Sequence, residues 1–444
     1  MARDESMNRS AQAPTRAERR RARAGEVIAL LAAALAADTG VQLVLANDAP
    51  STPAAGTARV VVDGPDALAR ILWPPSADAL GEAYLRGDID IEGDIWTVLE
   101  AGRRFDLRRL GGKLRRLVRH GLELRRGVRS APPLRRLARL SGPRHSRARD
   151  LAAVRFHYDV GNEFYALWLD SRRTYSCAYF AAQDMTLDTA QEAKLDLVSS
   201  KLRLGPGMRL LDIGCGWGSL IIRAAQRCGV EAIGVTLSGV QSESATEEIQ
   251  RNGLADRARA MVRDYRDLRP LGRFDAIASI GMFEHVGRAR LAEYFAAAFD
   301  ALRPGGLFLN HGIATTDTAH RFRPPWHRFG AHDFLGRYVF PDGELVSVED
   351  AIGFARRAGF ELLDVQSLRP HYALTLKAWV ERLEASADRA RRIAGEEVYR
   401  TWRIYMAAAR RGFEDGALDV AQLLLARPEA NRPARLPLRP WWNA

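Results

Sequence analysis

Three closely spaced glycines give the strongest chemical signal in the sequence. Residues 210–213 are strand-like, Gly214, Gly216 and Gly218 follow, and a helical pattern begins at Ser219. Glycines let the backbone approach a ligand closely, and the free N–H groups at the start of a helix favour an anionic or carboxylate end. The sequence therefore predicts a ligand site at this glycine loop (residues 214–218). An ordinary tight turn between a strand and a helix is the alternative.

The spacing of these glycines disfavours the usual dinucleotide cofactors. A dinucleotide loop needs G-x-G-x-x-G, but Ser219 holds the last glycine position. Such a site also needs an acidic residue at the tip of the next strand, where this sequence has Thr236 instead. Nicotinamide and flavin cofactors are therefore disfavoured. The D-x-G-x-G-x-G pattern that starts at Asp212 resembles the S-adenosylmethionine loop of Rossmann-like methyltransferases.

The elements needed to position this loop follow one another along the second part of the chain. Strand-like runs separated by helical segments are typical of a parallel sheet with crossover helices. The runs are residues 209–213, 232–236, 276–280 and 306–310. The sequence therefore predicts an α/β fold, with a Rossmann-like methyltransferase catalytic domain over residues 151–444.

The first part of the chain has a different composition. Residues 1–25 hold Arg, Ala and Ser with almost no large apolar side chains, which predicts a disordered basic arm. Residues 26–100 combine helical and strand-like runs, which predicts a small α+β N-terminal domain. The apolar run 27–37 follows an arginine cluster and so mimics a secretory signal. We interpret it instead as the first amphipathic helix of the small domain.

Positive charge is concentrated in one segment. The chain has 66 Lys and Arg against 54 Asp and Glu, while residues 101–150 alone hold 17 basic and 3 acidic residues. Apolar residues recur in this segment at spacings of three to five, which gives a helical apolar stripe among arginines. We predict an Arg-rich amphipathic linker that contacts an anionic membrane surface. A solvated linker or a phosphate-contacting arm is the alternative.

Cysteine usage and hydropathy indicate the compartment. The three cysteines, Cys177, Cys215 and Cys228, form no C-x-x-C pair and no Cys/His cluster at zinc spacing. A disulfide scaffold and a metal site are therefore disfavoured, and a reducing cytosol fits. No apolar run approaches the roughly 20 residues that a membrane-spanning helix needs. These features predict a cytoplasmic protein without a metal ion.

Five segments together resemble one family. In order and spacing they are similar to the cyclopropane-fatty-acyl-phospholipid synthases and their mycolic acid cyclopropane synthase relatives. The segments are residues 157–162, 175–180, 212–218, 281–287 and 370–376. The resemblance covers about residues 155–425, and residues 81–87 resemble the small N-terminal domain of the phospholipid-acting members.

The resemblance implies methyl transfer from S-adenosylmethionine to the cis double bond of an unsaturated acyl chain in a membrane phospholipid. The resulting carbocation would lose a proton and close a three-membered ring. Because an alkene is a weak nucleophile, the protein must align the methyl group and the π bond in a dry cavity. Aromatic faces such as those of Tyr175, Tyr179, Phe180 and Phe283 could then stabilise the cation.

A bound bicarbonate ion is the base that the resemblance implies. Its predicted ligands are Glu284, His311 and Tyr372, with backbone near Cys177 and Ile313. A Glu, a His and a Tyr that converge on a small oxyanion can share protons and fix its orientation. Taken singly, a cysteine is more often a small buried hydrophobe, and a histidine at a strand end more often belongs to the core. Cys177 is therefore expected to act through its backbone and shape, not as a nucleophile.

The resemblance also implies the residues that bind S-adenosylmethionine. They are Tyr175 and Ser176 near the methionine end, Asp212, Gly214, Gly216 and Gly218 in the loop, Thr236 and Gln241 by the ribose, and Tyr265 and Arg266 by the adenine. One position departs from the family pattern, because Ala409 stands where members often carry a cysteine. We expect that cysteine to be dispensable, since ring closure needs no thiol.

Other functions remain open from the sequence alone. The same chemistry could end in a methyl- or methylene-branched chain. A nucleic-acid methyltransferase would use the arginines on phosphates, but no base-flipping Pro-Pro-Tyr motif occurs, so a nucleic-acid partner is disfavoured. A non-catalytic lipid carrier is the third class. The preferred interpretation is a cytoplasmic cyclopropane synthase, peripherally associated with the inner face of the membrane, and a homodimer formed through the N-terminal domain is compatible with it.

Overall fold

The computed structural model describes residues 14–35, 38–46, 53, 56–73, 76–128, 130–316, 334–429, 432–434 and 437–443. The described residues form two compact units. The N-terminal unit ends at Leu134, and the C-terminal unit begins at Arg135.

The N-terminal unit combines five helices and three strands among its described residues. Its helices are α1 (Arg16–Ala34), α2 (Pro65–Leu72), α3 (Ala77–Arg86), α4 (Ile95–Arg103) and α5 (Leu114–Arg125), and its strands are β1 (Val41–Leu45), β2 (Ala58–Val62) and β3 (Ile89–Gly93). The strand order is β1-β2-β3, with β1 parallel and β3 antiparallel to β2. This mixture of helices and strands agrees with the predicted α+β composition.

The predicted disordered arm is wrong for residues 16–25, which lie in α1. Thr15 and Glu18 form a capping box, in which each side chain accepts a hydrogen bond from the other residue's backbone N–H. Further along the helix, Ala24, Val27 and Ile28 are buried. The cap and this buried face offset the conformational entropy that is lost when the arginine-rich first half of the helix becomes ordered. Residues 1–13 lie outside the described residues.

The predicted linker over residues 101–150 is also wrong as one segment. Residues 101–103 finish α4, a 3-10 helix spans Leu107–Lys113, and α5 follows it. Helix α5 contacts α1 and α2 and buries Leu117 and Leu124. The next helix begins at Arg147 and belongs to the C-terminal unit. Part of the predicted apolar stripe packs inside the N-terminal unit, so this part of the segment is not a linker.

The C-terminal unit alternates strands and helices. Its helices are α6 (Arg147–Tyr158), α7 (Asn162–Tyr165), α8 (Leu187–Lys201), α9 (Ser219–Cys228), α10 (Gly239–Arg251), α11 (Leu291–Ala301), α12 (Phe334–Tyr338), α13 (Val348–Arg357), α14 (Arg369–Ala385), α15 (Ala387–Ala394) and α16 (Glu396–Glu414). Its strands are β4 (Arg209–Ile213), β5 (Glu231–Thr236), β6 (Ala258–Val262), β7 (Phe274–Ile280), β8 (Leu302–Thr315), β9 (Glu361–Ser367) and β10 (Leu418–Ala426).

These strands form one sheet in the order β6-β5-β4-β7-β8-β10-β9. The four predicted strand-like runs are confirmed as β4, β5, β7 and β8. Neighbours from β6 to β8 pair in parallel, as the alternating pattern predicts. The expectation of a wholly parallel sheet is wrong at the other edge, because β10 inserts between β8 and β9 and is antiparallel to both.

Strand β4 is buried on both faces. Leu210 belongs to a core cluster with α8 and α9, whereas Leu211 and Ile213 belong to a second cluster with α11 and α13. Helices on both sides of a parallel strand explain why three of its five residues are buried and apolar. Asp212 stands out against this background as a buried carboxyl group.

The described ranges contain no helix that is both long and apolar enough to cross a bilayer. The same ranges contain no group of three or more His, Cys, Asp or Glu side chains arranged to hold a metal ion. All three cysteines are free, and Cys177 and Cys215 are buried while Cys228 is half-buried.

Candidate active site

The glycine loop connects β4 to α9 through three residues with positive φ angles. These angles are 89° at Gly214, 54° at Gly216 and 84° at Gly218, a region that favours glycine. A Cβ atom added at Gly214 would lie 2.8 Å from the Cβ of Met282. The loop thus needs glycine both for its backbone conformation and for its close approach to the end of β7.

One cavity at this end of the sheet gathers nine of the ten predicted cofactor-binding residues. They are Tyr175, Ser176, Asp212, Gly214, Gly216, Thr236, Gln241, Tyr265 and Arg266. The tenth, Gly218, is the N-cap of α9 and does not line the cavity. A Cβ atom at Gly218 would lie 3.1 Å from Ala245 of α10, so this glycine lets the two helices pack closely.

The polar residues of the cavity are held by hydrogen bonds. The hydroxyl of Thr236 donates to Oε1 of Gln241 at 2.9 Å, which joins the end of β5 to the first turn of α10. Arg266 lies between two carboxylates and donates to Asp264 at 2.6 Å and to Asp150 at 2.8 Å. The hydroxyl and amide groups here can form hydrogen bonds with a ribose. They could therefore take the place of the acidic residue that is absent at the tip of β5.

A buried lysine, which the sequence analysis missed, completes the cavity floor. Lys194 of α8 lines the cavity, and its Nζ donates to Oγ of Ser176 at 2.9 Å. Burial lowers the pKa of Lys194 to about 8 and raises the pKa of Asp212 to about 7. Oδ1 of Asp212 is buried and has no hydrogen-bond partner in the described structure. A ligand with positive charge or donor groups would satisfy this oxygen.

Gln191, one turn before Lys194 on α8, is a second buried polar residue that the prediction did not include. Its amide nitrogen donates to the carbonyl oxygens of Thr174 at 3.2 Å and Ser176 at 2.8 Å, and so fixes the segment that carries Tyr175. A signal was available in the sequence. Both polar residues occupy positions on the buried stripe of an otherwise amphipathic helix, where apolar side chains are expected.

Glu284 lies just after β7, and His311 lies within β8, the strand paired with β7. Glu284 sits in a single 3-10 turn after β7, and its Oε1 accepts a hydrogen bond from the Ile313 N–H at 2.7 Å. The backbone of His311 accepts from the Gly281 N–H at 2.8 Å. This pairing brings Glu284, His311 and Ile313 together, as predicted.

Cys177 and Tyr372, the other two predicted residues of the anion site, both contact the backbone carbonyl of Leu368. The backbone carbonyl of Leu368 accepts from the Tyr372 N–H at 3.0 Å and lies 3.8 Å from Sγ of Cys177. Burial raises the pKa of the Cys177 thiol well above its usual range, so a thiolate nucleophile is disfavoured. Burial likewise raises the pKa of Tyr372, and nearby Tyr405, Cys177 and Glu284 add to this effect. The two halves therefore lie within electrostatic range of each other.

Two of the predicted anion ligands carry buried polar atoms that the described residues do not satisfy. Oε2 of Glu284 and Nε2 of His311 are buried without hydrogen-bond partners among the described residues. Burial raises the pKa of Glu284 to about 7 and lowers the pKa of His311 to about 3. A neutral histidine and a carboxyl group that ionises near neutral pH can donate to an oxyanion and accept from its O–H. These residues fit a small protonated oxyanion such as bicarbonate.

Aromatic rings surround the Tyr175 side of the cavity. Tyr175 stacks on His157, with ring centroids 5.6 Å apart, and lies 5.2 Å from Trp379. Trp402 lies 6.0 Å from Tyr175. Of the four aromatic residues predicted to face a cation, Tyr175 joins this cluster, whereas Tyr179 stacks on His371 instead. The sequence analysis did not find Trp379 and Trp402, which lie more than 200 residues away in the chain.

The buried carboxyl of Glu284 predicts a pH-dependent stability difference. The pKa of Glu284 is raised from 4.5 to about 7 by burial, so between these values the folded state keeps a proton that the unfolded state has lost. Stability of the wild type should therefore fall as pH rises through this window, whereas Glu284→Gln has no such term. By pH 8 the variant should be more stable than the wild type by on the order of 2–3 kcal/mol relative to their difference at pH 4.5.

Thermal melting of both proteins at pH 5 and pH 8 checks this prediction. The melting temperature of the variant should exceed that of the wild type by several degrees more at pH 8 than at pH 5. Glu163→Gln, on an exposed side chain of α7, is the matched control and should show no such trend. A melting difference that stays constant with pH would show that Glu284 ionises normally in the folded protein.

Known proteins are similar to this chain in sequence. The pattern of the mycolic acid cyclopropane synthetase family matches residues 145–423. A probable fatty acid methyltransferase of Pseudomonas putida is 40% identical over 366 residues, which cover 82% of this chain and 86% of that protein. A probable fatty acid methyltransferase of Mycobacterium tuberculosis is 41% identical over 303 residues, covering 68% of this chain and 69% of that protein.

Two solved structures are similar to this chain. The cyclopropane synthase MmaA2 of Mycobacterium tuberculosis is 36% identical with a TM-score of 0.58, and covers 64% of this chain and 99% of its own. The mycolic acid cyclopropane synthase CmaA1 in complex with S-adenosylhomocysteine is 36% identical with a TM-score of 0.59, and covers 62% of this chain and 97% of its own. S-adenosylhomocysteine in that relative is the demethylated form of S-adenosylmethionine.

Proposed function

Because the chain belongs to the mycolic acid cyclopropane synthetase family and is an S-adenosylmethionine-dependent methyltransferase of fatty acyl chains, we propose that it forms cyclopropane rings. The proposed substrate is the cis double bond of an unsaturated acyl chain in a membrane phospholipid. The proposed base is a bicarbonate ion held by Glu284, His311 and Tyr372, with backbone near Cys177 and Ile313. The enzyme would act in the cytoplasm at the inner face of the membrane.

The observation that carries this proposal is the pair of unsatisfied buried atoms, Glu284 Oε2 and His311 Nε2, beside the cofactor cavity. A methyltransferase that acts on an O–H or N–H group needs only a side-chain base for a proton on a heteroatom. An alkene has no such proton, and ring closure requires one to leave carbon after the methyl group has moved. A carboxyl and an imidazole arranged to hold a small oxyanion suit that second step.

When they are bound, S-adenosylmethionine supplies the methyl group and bicarbonate supplies a proton acceptor. The chain's residues bind and orient these groups and exclude water from them. Gln191 and Lys194 fix the segment of Tyr175 and Ser176 against the cavity, and burial of the aromatic rings keeps water from the developing cation. The faces of Tyr175 and Trp379 provide negative charge density where a carbocation would form.

Product analysis tests the proposal. Purified protein is incubated with methyl-labelled S-adenosylmethionine and vesicles of a cis-unsaturated phospholipid, and the acyl chains are analysed by mass spectrometry and proton NMR. We expect a gain of one CH2, loss of olefinic protons and new upfield ring protons. Depleting bicarbonate should slow the reaction, and restoring it should recover the rate. Label in the lipid without ring protons would overturn the ring-forming proposal.

A branched product is the second candidate, because two relatives are named as probable fatty acid methyltransferases and not as cyclopropane synthases. The two fatty acid methyltransferases align over a larger share of this chain than the solved mycolic acid synthases do. If proton loss gives an alkene instead of a ring, the same experiment would show vinylidene protons with the same added mass. A saturated methyl branch would show neither vinylidene nor ring protons and would require an additional reductant.

Contact with the membrane surface is proposed for helix α5. Its exposed side chains include Leu114, Val118 and Leu122, which are 39%, 50% and 43% exposed and recur every four residues. Arg115 and Arg119 lie exposed beside this stripe. An apolar stripe flanked by arginines matches the boundary between acyl chains and anionic headgroups, where each basic residue contributes about 1 kcal/mol. Leu117 and Leu124 hold the helix to its own unit and leave the stripe free.

Combining Leu114→Asp with Val118→Asp should weaken vesicle binding. Each substitution removes an apolar side chain from the interface and adds a negative charge, so affinity for vesicles that contain phosphatidylglycerol should fall roughly tenfold or more. Both side chains are exposed, so the melting temperature should change little. Cosedimentation with vesicles at low salt measures the change.

Val262→Asp is the matched control. Val262 lies on β6 of the C-terminal unit and is 57% exposed, so this variant adds a charge at a comparably accessible valine outside the N-terminal unit. It should bind vesicles as the wild type does. Equal affinity of the α5 double variant and the wild type would remove α5 from the membrane contact.

A further inference from the structure

A row of polar side chains crosses the buried sheet behind His311. His311 of β8 is paired in register with Gln422 of β10, and Gln422 is paired with Gln366 of β9. Residues that are paired in a sheet present their side chains on the same face, with Cβ atoms about 5 Å apart. His311 and Gln422 are 2% and 0% exposed. The row therefore leads from the anion site to the far edge of the sheet.

A lysine anchors the far end of this row. Nζ of Lys201, at the end of α8, donates to Oε1 of Gln366 at 2.7 Å and to Oδ2 of Asp364 at 3.0 Å. Lys201 is itself buried, and its ammonium lies 5.3 Å from the ring of Trp442. Because a lysine can only donate, the oxygen of the Gln366 amide is turned toward it and the amide N–H groups face elsewhere.

The donor and acceptor pattern then passes along the row. Nε2 of Gln422 lies 3.3 Å from Nδ1 of His311, and Oε1 of Gln422 is buried without a hydrogen-bond partner in the described structure. The amide N–H groups of Gln366, directly across from it, are the donors that suit this oxygen. The amide nitrogen of Gln422 faces His311, and an amide nitrogen can only donate, so Nδ1 of His311 is the acceptor of this contact.

We propose that Lys201, Gln366 and Gln422 form a polarised row of amides that holds His311 as the tautomer with its proton on Nε2. Nε2 is the His311 atom left unsatisfied in the anion site, so this tautomer presents a donor to an anionic oxygen. The opposite tautomer would present a lone pair, which cannot donate to an unprotonated anionic oxygen. The three residues are positioning residues, and the inference rests on the proposed function because it assigns the role of His311 toward the anion.

Nitrogen NMR of the full-length protein, labelled with 15N-histidine and free of lipid and bicarbonate, tests the inference. The chain has nine histidines, and the resonances of His311 are identified by their loss in His311→Asn. At pH 8 the wild type should show a protonated Nε2 and an unprotonated Nδ1. A protonated Nδ1 in the wild type would overturn the proposal without any further variant.

Gln422→Glu provides the second arm. At a pH where the new carboxyl group is ionised, as its 13C resonance reports, it can only accept, so Nδ1 of His311 should gain a proton. Binding of 13C-bicarbonate, measured by titration, should weaken about tenfold or more because Nε2 loses its donor. Gln226→Glu, an exposed position on α9, should change neither result. An unprotonated Nδ1 in Gln422→Glu would contradict the inference.

The readouts separate this inference from the proposed function. If the wild type has a protonated Nε2 but bicarbonate neither binds nor stimulates the reaction, the tautomer stands and the proposed base is wrong. If bicarbonate binds and stimulates but His311 carries its proton on Nδ1, the row of amides is overturned and the proposed function stands. A merely structural role of Gln422 would lower the melting temperature without moving the proton.

Discussion

Glu284→Gln should lower kcat by roughly 10²- to 10⁴-fold, the contribution typical of a group that manages a proton in the reaction. The glutamine keeps the size of the side chain and can still accept from the Ile313 N–H. It cannot take up or release a proton, which the wild-type carboxyl can do because its pKa is raised to about 7. The loss should therefore fall on turnover and not on folding.

Binding of S-adenosylmethionine should remain near the wild-type value in this variant. Glu284 does not line the cofactor cavity, although its neighbours Met282 and His285 do. Calorimetric titration with S-adenosylhomocysteine measures the affinity, and labelled methyl transfer measures kcat. Glu163→Gln again serves as the control. Turnover close to the wild-type rate would remove Glu284 from the anion site, and loss of cofactor affinity would make it a structural residue of the cavity.

Gly312→Ala should have the second-largest effect. Gly312 lies between His311 and Ile313 on β8, and an added Cβ would lie 2.1 Å from Cδ1 and 2.2 Å from Cε1 of Phe283. The ring of Phe283 would have to move, and Glu284 follows it directly in the chain. Because a displacement of about 1 Å in a catalytic site can cost about 10²-fold in rate, we expect a kcat loss of that order.

Overpacking of the core should also destabilise the Gly312→Ala protein by about 1–3 kcal/mol. Gly205→Ala is the matched control, since nothing lies within 4 Å of a Cβ built there and its φ angle is not positive. Melting curves and kcat at a temperature where both variants are folded separate the two effects. A Gly312→Ala enzyme with normal turnover would show that Phe283 can move without disturbing Glu284.

The cofactor site could be predicted closely from the sequence because its chemistry is local. The glycine loop follows one strand that the pattern identifies and Thr236 ends another, and the carboxyl ends of parallel strands meet at one edge of the sheet. Lys194 could not be found this way. A lysine on a helix is normally solvated, so its position on the apolar stripe of α8 is the signal in the sequence, and the packing of α8 against Ser176 shows that it is buried.

The row behind His311 lies beyond prediction from the sequence for a topological reason. Gln422 and Gln366 become neighbours only because β10 inserts between β8 and β9 in the antiparallel sense. Strand order and register are set by the packing of the whole unit, and a shift of one residue would turn these side chains to the other face. Composition alone also gave the wrong prediction for α1. This helix forms despite its arginine-rich first half, and Thr15 and Glu18 cap its start.

The unequal burial of the three thiols makes this protein convenient for chemical labelling. Cys177 and Cys215 are closed to a bulky reagent, so a maleimide dye should attach to Cys228 alone. Cys228 is the last residue of α9, and the glycine loop precedes the first residue of that ten-residue helix, about 15 Å away. A fluorophore there would be attached to the helix that follows the cofactor loop and would report the ordering of that loop. Every native cysteine would stay in place.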